Sequence, residues 1–211
     1  MPCESIGAYK GEPKEFVSFV LQQDLDGSCQ MVKVGSDSPG PVKNSEALAR
    51  FVFCPAHLDK SRGTLGAVDE TLFNDVLTIG GSVNRLIETN NEITQTVHAQ
   101  GEVTAEGVRK GVNGRPPQPD REYLGAVRLL AEDVRAINFD TVAHRVRVYD
   151  TSLGPEDPLH GDIVANTNGL TKTNRKELRV RLFILAQKSG LFVSHLYAGT
   201  YDLKECGLAL N

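Results

Sequence analysis

Two histidines are each followed, two residues on, by an aspartate: "HLD" at His57–Asp59 and "HGD" at His160–Asp162. An imidazole beside a carboxylate can act as a general acid–base pair, because the carboxylate orients the ring and stabilises its charged form; the same pair can ligate a metal. In a strand, residues i and i+2 share a face, so either triplet could present both side chains together. His57, His160 and Asp162 are therefore the catalytic candidates. Their spacing matches no metal-ligand motif, and no cofactor is implied. His98 stands beside a β-like run, and His144 and His195 read as core histidines on apolar faces.

A second chemistry is suggested by "TNGLTKTNRKELRVRLFIL", residues 167–185. It begins as a polar turn and continues as an apolar helix. Lys172, Arg175, Lys176 and Arg179 fall within an arc of roughly 100° at 3.6 residues per turn. Free amide N–H groups, the hydroxyl of Thr173 and this cationic stripe would converge on a phosphate, a carboxylate or an acidic partner. The competing reading is a solvated helix face, because Lys and Arg are good helix formers. The segment lacks the glycine spacing and Gly-Lys-Thr order of a P-loop. Arg85, in "GGSVNRL", is a further anion-binding candidate. The two glycines before Ser82 would let a ligand approach the backbone, or simply turn the chain into a strand. Cys54 lies three residues before His57, but its apolar neighbours Phe51 to Phe53 point to burial rather than to an activated thiol.

The composition sets bounds on these readings. The chain has 211 residues, 24% charged and 40% hydrophobic, with net charge -4 and a pI near 5.8. A wholly nucleic-acid-binding surface would be basic, so such a role would need a local patch. There is no Trp and aromatics are 6%, which weakens single-strand binding by base stacking. No apolar run is long enough to span a bilayer, and the N-terminus lacks a signal peptide, so no membrane association and a cytoplasmic location are expected. Cysteines 3, 29, 54 and 206 form no C-x-x-C pair, and reduced thiols are expected.

The candidates need elements to hold them. "EFVSFVLQQDLDGSCQMVKVG" reads as an N-terminal β-hairpin with Asp26-Gly27 in its connection. Ser45 can cap a short helix that ends before Pro55, or Phe51–Cys54 can be a buried strand. Asp69 caps a short helix, and 78–101 holds two short strands. A flexible loop is expected over 107–119, carrying Arg109, Lys110 and Arg115. "DREYLGAVRLLAEDVRAIN" places Leu124, Val127, Leu130, Ala131 and Val134 at helical spacing, predicting an amphipathic helix over about 121–136. Strands are expected in 140–151, with Val142, His144, Val146 and Val148 on one face, and in 162–166 and 190–199. A second main helix covers about 174–189, capped by Asn174, Thr171 or Thr173 and buried at its apolar end.

These elements assemble into a single α+β domain, residues 1–211, with a mixed or mostly antiparallel sheet. The first functional reading is an intracellular binding or regulatory protein that docks a protein partner or an anionic ligand. The second is an enzyme on a phosphate-bearing substrate, a nucleotide or nucleic acid, with Arg85, Lys172 and Arg175 holding the anion and His57 or His160 moving protons. The third is a nucleic-acid binder that would need Arg109, Lys110, Arg115, Arg145 and Arg147 to join the stripe. A homo-oligomer is compatible with all three.

Overall fold

The computed structural model describes residues 2–34, 37–58, 68–111, 116–138, 142, 144–197 and 199. Six strands form one sheet: β1 (Ala47–Cys54), β2 (Gly81–Arg85), β3 (Glu122–Leu130), β4 (Val146–Asp150), β5 (His160–Ala165) and β6 (Leu191–Val193). Their order is β4-β5-β2-β1-β3-β6, and every neighbouring pair is antiparallel. Among the described residues five α-helices flank it: α1 (Pro2–Gly7), α2 (Phe16–Gln23), α3 (Gln95–Lys110), α4 (Ala131–Arg135) and α5 (Lys172–Ser189). The α+β class with an antiparallel sheet is thus the observed one. No helix among the described residues is long and apolar enough to cross a membrane.

Alternation along the strands sorts the core into two sides. Leu48, Val52, Val83, Val127, Val148 and Ile163 point to one face, where Leu178, Leu182 and Ala186 of α5 and Val134 of α4 pack on them. The other face is covered in two places. Val97 of α3 packs on Ala47, Ala49 and Ala126, while Ile6 of α1 and Phe16, Val17 and Val20 of α2 pack on Tyr149 and Val164. Between α2 and α3 the inner strands β2 and β5 carry polar residues instead, and Ser82 there is exposed.

Several expectations are corrected. The N-terminal hairpin is a helix, α2, followed by a 3-10 turn at Ser28–Met31. The segment is apolar on both strand faces, but Phe16, Val17 and Val20 are buried at helical spacing, and Gly27, at φ 81, turns the chain without starting a strand. The helix expected over 121–136 is strand β3 with only the short α4 after it. Its apolar residues mimic a helical stripe because β3 lies between β1 and β6 and is buried on both faces. Gly125 marks the strand: a Cβ there would lie 2.2 Å from the Phe192 carbonyl oxygen. Residues 95–101 begin α3 rather than a strand, and 107–110 of the expected flexible loop are its last turn, closed by Gly111 at φ 74. Residues 112–115, including Arg115, lie outside the described residues. The ambiguous run 45–54 is strand β1, and Asp69 caps a 3-10 turn, its carboxylate accepting from the Thr71 amide at 2.8 Å.

Cys3 and Cys29 form a disulfide, against the expectation of reduced thiols. Nearness in the fold, invisible in their spacing, brings them together. Cys54 is free and buried; Cys206 lies outside the described residues.

Candidate functional site

β5 places His160, Asp162 and Val164 on the face between α2 and α3, as strand alternation requires. Register supplies their neighbours: Ser82 pairs with Asp162 and Asn84 with His160. Thr151, just past β4, completes the group. Its hydroxyl donates to Asp162 Oδ2 at 2.8 Å and lies 3.0 Å from His160 Nδ1. Ser82 donates to Asp162 Oδ1 at 3.4 Å. Asn84 donates to Gln100 Oε1 of α3 at 2.9 Å, and Gln100 donates on to Asp157 at 3.2 Å. Gly80 (φ +86) sits at the edge: a Cβ there would lie 3.0 Å from both Asp162 Oδ1 and the Phe16 ring. Phe16, the first side chain of α2, and the Asp162 carboxylate thus flank Gly80.

The hydrogen bonds fix the imidazole tautomer. His160 Nδ1 is 3.3 Å from the Thr151 carbonyl oxygen, which can only accept, and the Thr151 hydroxyl has already given its single proton to Asp162. Nδ1 therefore carries the hydrogen. In the neutral ring, Nε2 keeps a lone pair, and no described residue bonds it. The His160–Asp162 link is indirect, since Nδ1 to Oδ2 is 3.8 Å and the Thr151 hydroxyl bridges the two. Asp162 is 6% exposed. Burial raises its carboxyl above the usual carboxylate range, and His160 and the Thr151 hydrogen bond, which pull the other way, do not cancel this.

His57 does not join this group. It lies in the turn after β1, past the cis Cys54–Pro55 bond, where Nδ1 accepts from the Phe53 amide at 3.1 Å. Burial, then Arg50 and Arg121, hold its imidazole well below the ordinary value, so it stays neutral. Asp59 lies outside the described residues. Cys54 beside it is no nucleophile: burial and the Glu122 carboxylate push its thiol up to about 12. Of the remaining histidines, His98 is buried on α3 and bonds the Tyr123 hydroxyl at 2.9 Å. His144 and His195 are exposed rather than core; His144 sits at φ 54 just before β4, not on the strand.

Arg85 lies on the opposite face and is saturated. Nε and Nη2 meet the two Glu46 carboxylate oxygens at 2.9 and 3.0 Å, Nη1 meets the Gly40 carbonyl at 2.6 Å and Asp150 at 3.3 Å, and Nη2 meets the Pro41 carbonyl at 3.3 Å. With Lys43 and Asn91 it lines a concavity of about 320 Å³ away from His160.

Helix α5 begins at Lys172, and Thr171 is its cap, accepting from the Asn174 amide at 3.2 Å. Lys172, Thr173, Arg175 and Lys176 are exposed. Lys176 lies 3.8 Å from Glu70, and Arg179 bonds the Asn74 side chain; Lys172 and Arg175 have no charged partner among the described residues. The stripe has the geometry of a wet helix face and does not meet His160 or Arg85. The apolar half of α5 is not buried all round: Leu178, Leu182 and Ala186 are covered, but Ile184 is 47% exposed.

Arg145 and Arg147 do not extend a basic patch either, since both are buried. Arg147 is held by Asp24 and by the Leu25 carbonyl. Of the residues that complete the His160 group, Ser82 and Asn84 carry a weak sequence signal, the glycines before a β-like run. Thr151 and Gln100 carry none, since they arrive from the turn after β4 and from α3. The chain matches no protein family, no curated protein and no solved structure, so the geometry alone bears on function.

Proposed function

We propose that the strip between α2 and α3 is an acid–base site, and that the protein is an enzyme acting on a small, neutral, polar substrate laid on Ser82, Asn84 and His160. One observation carries this: the Thr151 hydroxyl, shared between Asp162 and His160, orients the imidazole so that Nε2 faces away from the bonded Nδ1 side. Nε2 removes a proton from a substrate hydroxyl or a water, and the charge that develops on the ring is relayed through Thr151 toward Asp162. Ser82 and the Asn84–Gln100–Asp157 chain offer donors and acceptors to hydroxyl or amide groups. None of the named strip residues is Lys or Arg, and Arg147, on the same face, is committed to Asp24. A neutral substrate therefore fits better than a phosphate-bearing one.

The docking reading, with Lys172, Thr173, Arg175, Lys176 and Arg179 taking an acidic partner or anion, has only the exposure of that stripe in its favour. A nucleic-acid role would need a basic face that the buried Arg145 and Arg147 do not supply. The discriminating experiment is an NMR titration of the His160 imidazole with a panel of neutral hydroxyl- and amide-bearing fragments and of phosphates, followed by turnover of the matching neutral esters and amides. Neutral fragments shift the His160 signals, and turnover is lost in His160→Gln. Shifts confined to residues 172–179, or full turnover in His160→Gln, would overturn the acid–base reading.

A further inference from the structure

The segment from α1 to the turn Ser28–Met31 forms one wall of the strip, and it is held at two points. Its C-terminal part is anchored to the edge strand β4. Asp24 accepts from the Tyr149 hydroxyl at 2.6 Å and pairs with Arg147, and Gln30 accepts from the Val148 amide at 2.9 Å. Its N-terminal part, α1, backs α2 through Ile6. The covalent tie between the two parts is the disulfide, which joins Cys3 of α1 to Cys29 of the anchored turn. Between them in the chain lies Phe16, 8% exposed, across Gly80 from Asp162.

We infer that this segment is a redox-controlled cover at one edge of the strip: the Cys3–Cys29 disulfide holds α1 behind the start of α2 and so keeps Phe16 packed near Asp162, and reduction releases them and widens the acid–base site on its Asp162 side. The inference rests on the reading of that strip as the functional site. Cys3 is the half-buried partner, so its sulfur is the one an incoming thiolate reaches. A dithiol reductant attacks Cys3 Sγ, and the Cys29 thiolate leaves and takes up a proton. The second thiol of the reductant then resolves the mixed disulfide and frees Cys3, so two electrons and two protons pass to the cysteines while the dithiol closes to its own disulfide. Asp24 and Gln30 stay bound to β4 throughout, so opening is local to α1 and the Phe16 end of α2. Persistent disulfides belong to oxidising compartments and open in reducing ones, so the site would respond to its surroundings.

The test is carboxyl labelling of the full chain with a carbodiimide and glycine ethyl ester, read by mass spectrometry with and without dithiothreitol. Asp162 is the reporter. Asp150, 2% exposed on the opposite face, reports on the fold. The expected result is several-fold more labelling of Asp162 after reduction with Asp150 still protected, and the same pattern without reductant in Cys3→Ser. Asp162 staying protected in the reduced chain overturns the cover. A parallel rise at Asp150 overturns it too, because the disulfide would then hold the whole domain rather than one wall. Labelling needs no turnover, so it decides the cover independently of the His160→Gln assay.

Discussion

Replacing Thr151 by valine removes one oxygen and keeps the shape, and it strikes the group that links Asp162 to His160. Thr151 is 4% exposed, so water does not replace what is lost. The hydroxyl's bond to the carboxylate at 2.8 Å is of the charged kind, contributing about 1.5–3 kcal/mol, and its contact with the imidazole at 3.0 Å contributes about 1 kcal/mol. The added methyl returns under about 1 kcal/mol by burial. The net loss is about 2–3 kcal/mol, which for a chain of this size lowers the melting temperature by roughly 5–10 °C. The pH dependence sharpens the test. The Thr151 hydrogen bond holds the raised Asp162 carboxyl down, so in the variant that carboxyl rises further. Once protonated, it no longer needs the donor. The gap between variant and parent therefore narrows as pH falls through the folded pKa of Asp162. Thermal unfolding across pH, with the His160 Nδ1–H resonance followed by NMR, measures both effects. Thr151→Ser restores them. A Thr151→Val protein within about 0.5 kcal/mol of the parent, with the Nδ1–H signal intact, would refute the bridging role.

Three further outcomes follow from the same geometry. Because burial raises the folded pKa of Asp162 above the unfolded value, its contribution is most favourable below that unfolded value and is lost as pH rises through the folded one; Asp162→Asn should be more stable than the parent at pH 7 in urea unfolding, with the difference vanishing toward acid, and a less stable variant at pH 7 contradicts dominance by desolvation. Arg85→Met leaves Glu46 and Asp150 without their cation, and a loss of about 3–5 kcal/mol is expected, seen as a lowered denaturant midpoint or a failure to accumulate folded protein, whereas an unchanged midpoint would mean the pair is not buried in solution. Lys172→Gln with Arg175→Gln should move stability by less than about 0.5 kcal/mol, while Thr171→Ala at the cap costs about 1 kcal/mol; a large loss in the first would mean that the stripe is structural, and none in the second that Thr171 does not cap α5.

The Asp162 prediction has a functional side. A buried carboxyl that costs stability at neutral pH is retained more readily where it does chemistry than where it only fills space. Loss of turnover in the more stable Asp162→Asn protein would separate the two.

Some of the molecule follows from local order in the sequence. The strand expected at 162–166, the alternation that runs through 146–150, the cap at Asp69 and the helix over 174–189 each depend on residues a few positions apart, where backbone periodicity acts directly. So does the pairing of an imidazole with a carboxylate across one intervening glycine. That β5 begins at His160, in a stretch rich in turn residues, was set by its pairing with β2. The segments 15–35 and 121–136 folded the other way, because a run with apolar residues on both strand faces, as at 16–21, or one buried on both faces, as in β3, satisfies both periodicities, and only its neighbours choose between helix and strand. The same dependence on neighbours decided the site. Which arginines are free is set by Glu46, Asp150 and Asp24, which lie 39, 65 and 123 positions from the arginines they hold. The base at His160 is oriented by a threonine just past the neighbouring strand, and the wall beside it is tied by a disulfide closing 26 positions of chain. Side-chain types and short spacings determined which groups could do chemistry; hydrogen bonding and burial across the folded sheet, which no local pattern encodes, decided which of them meet.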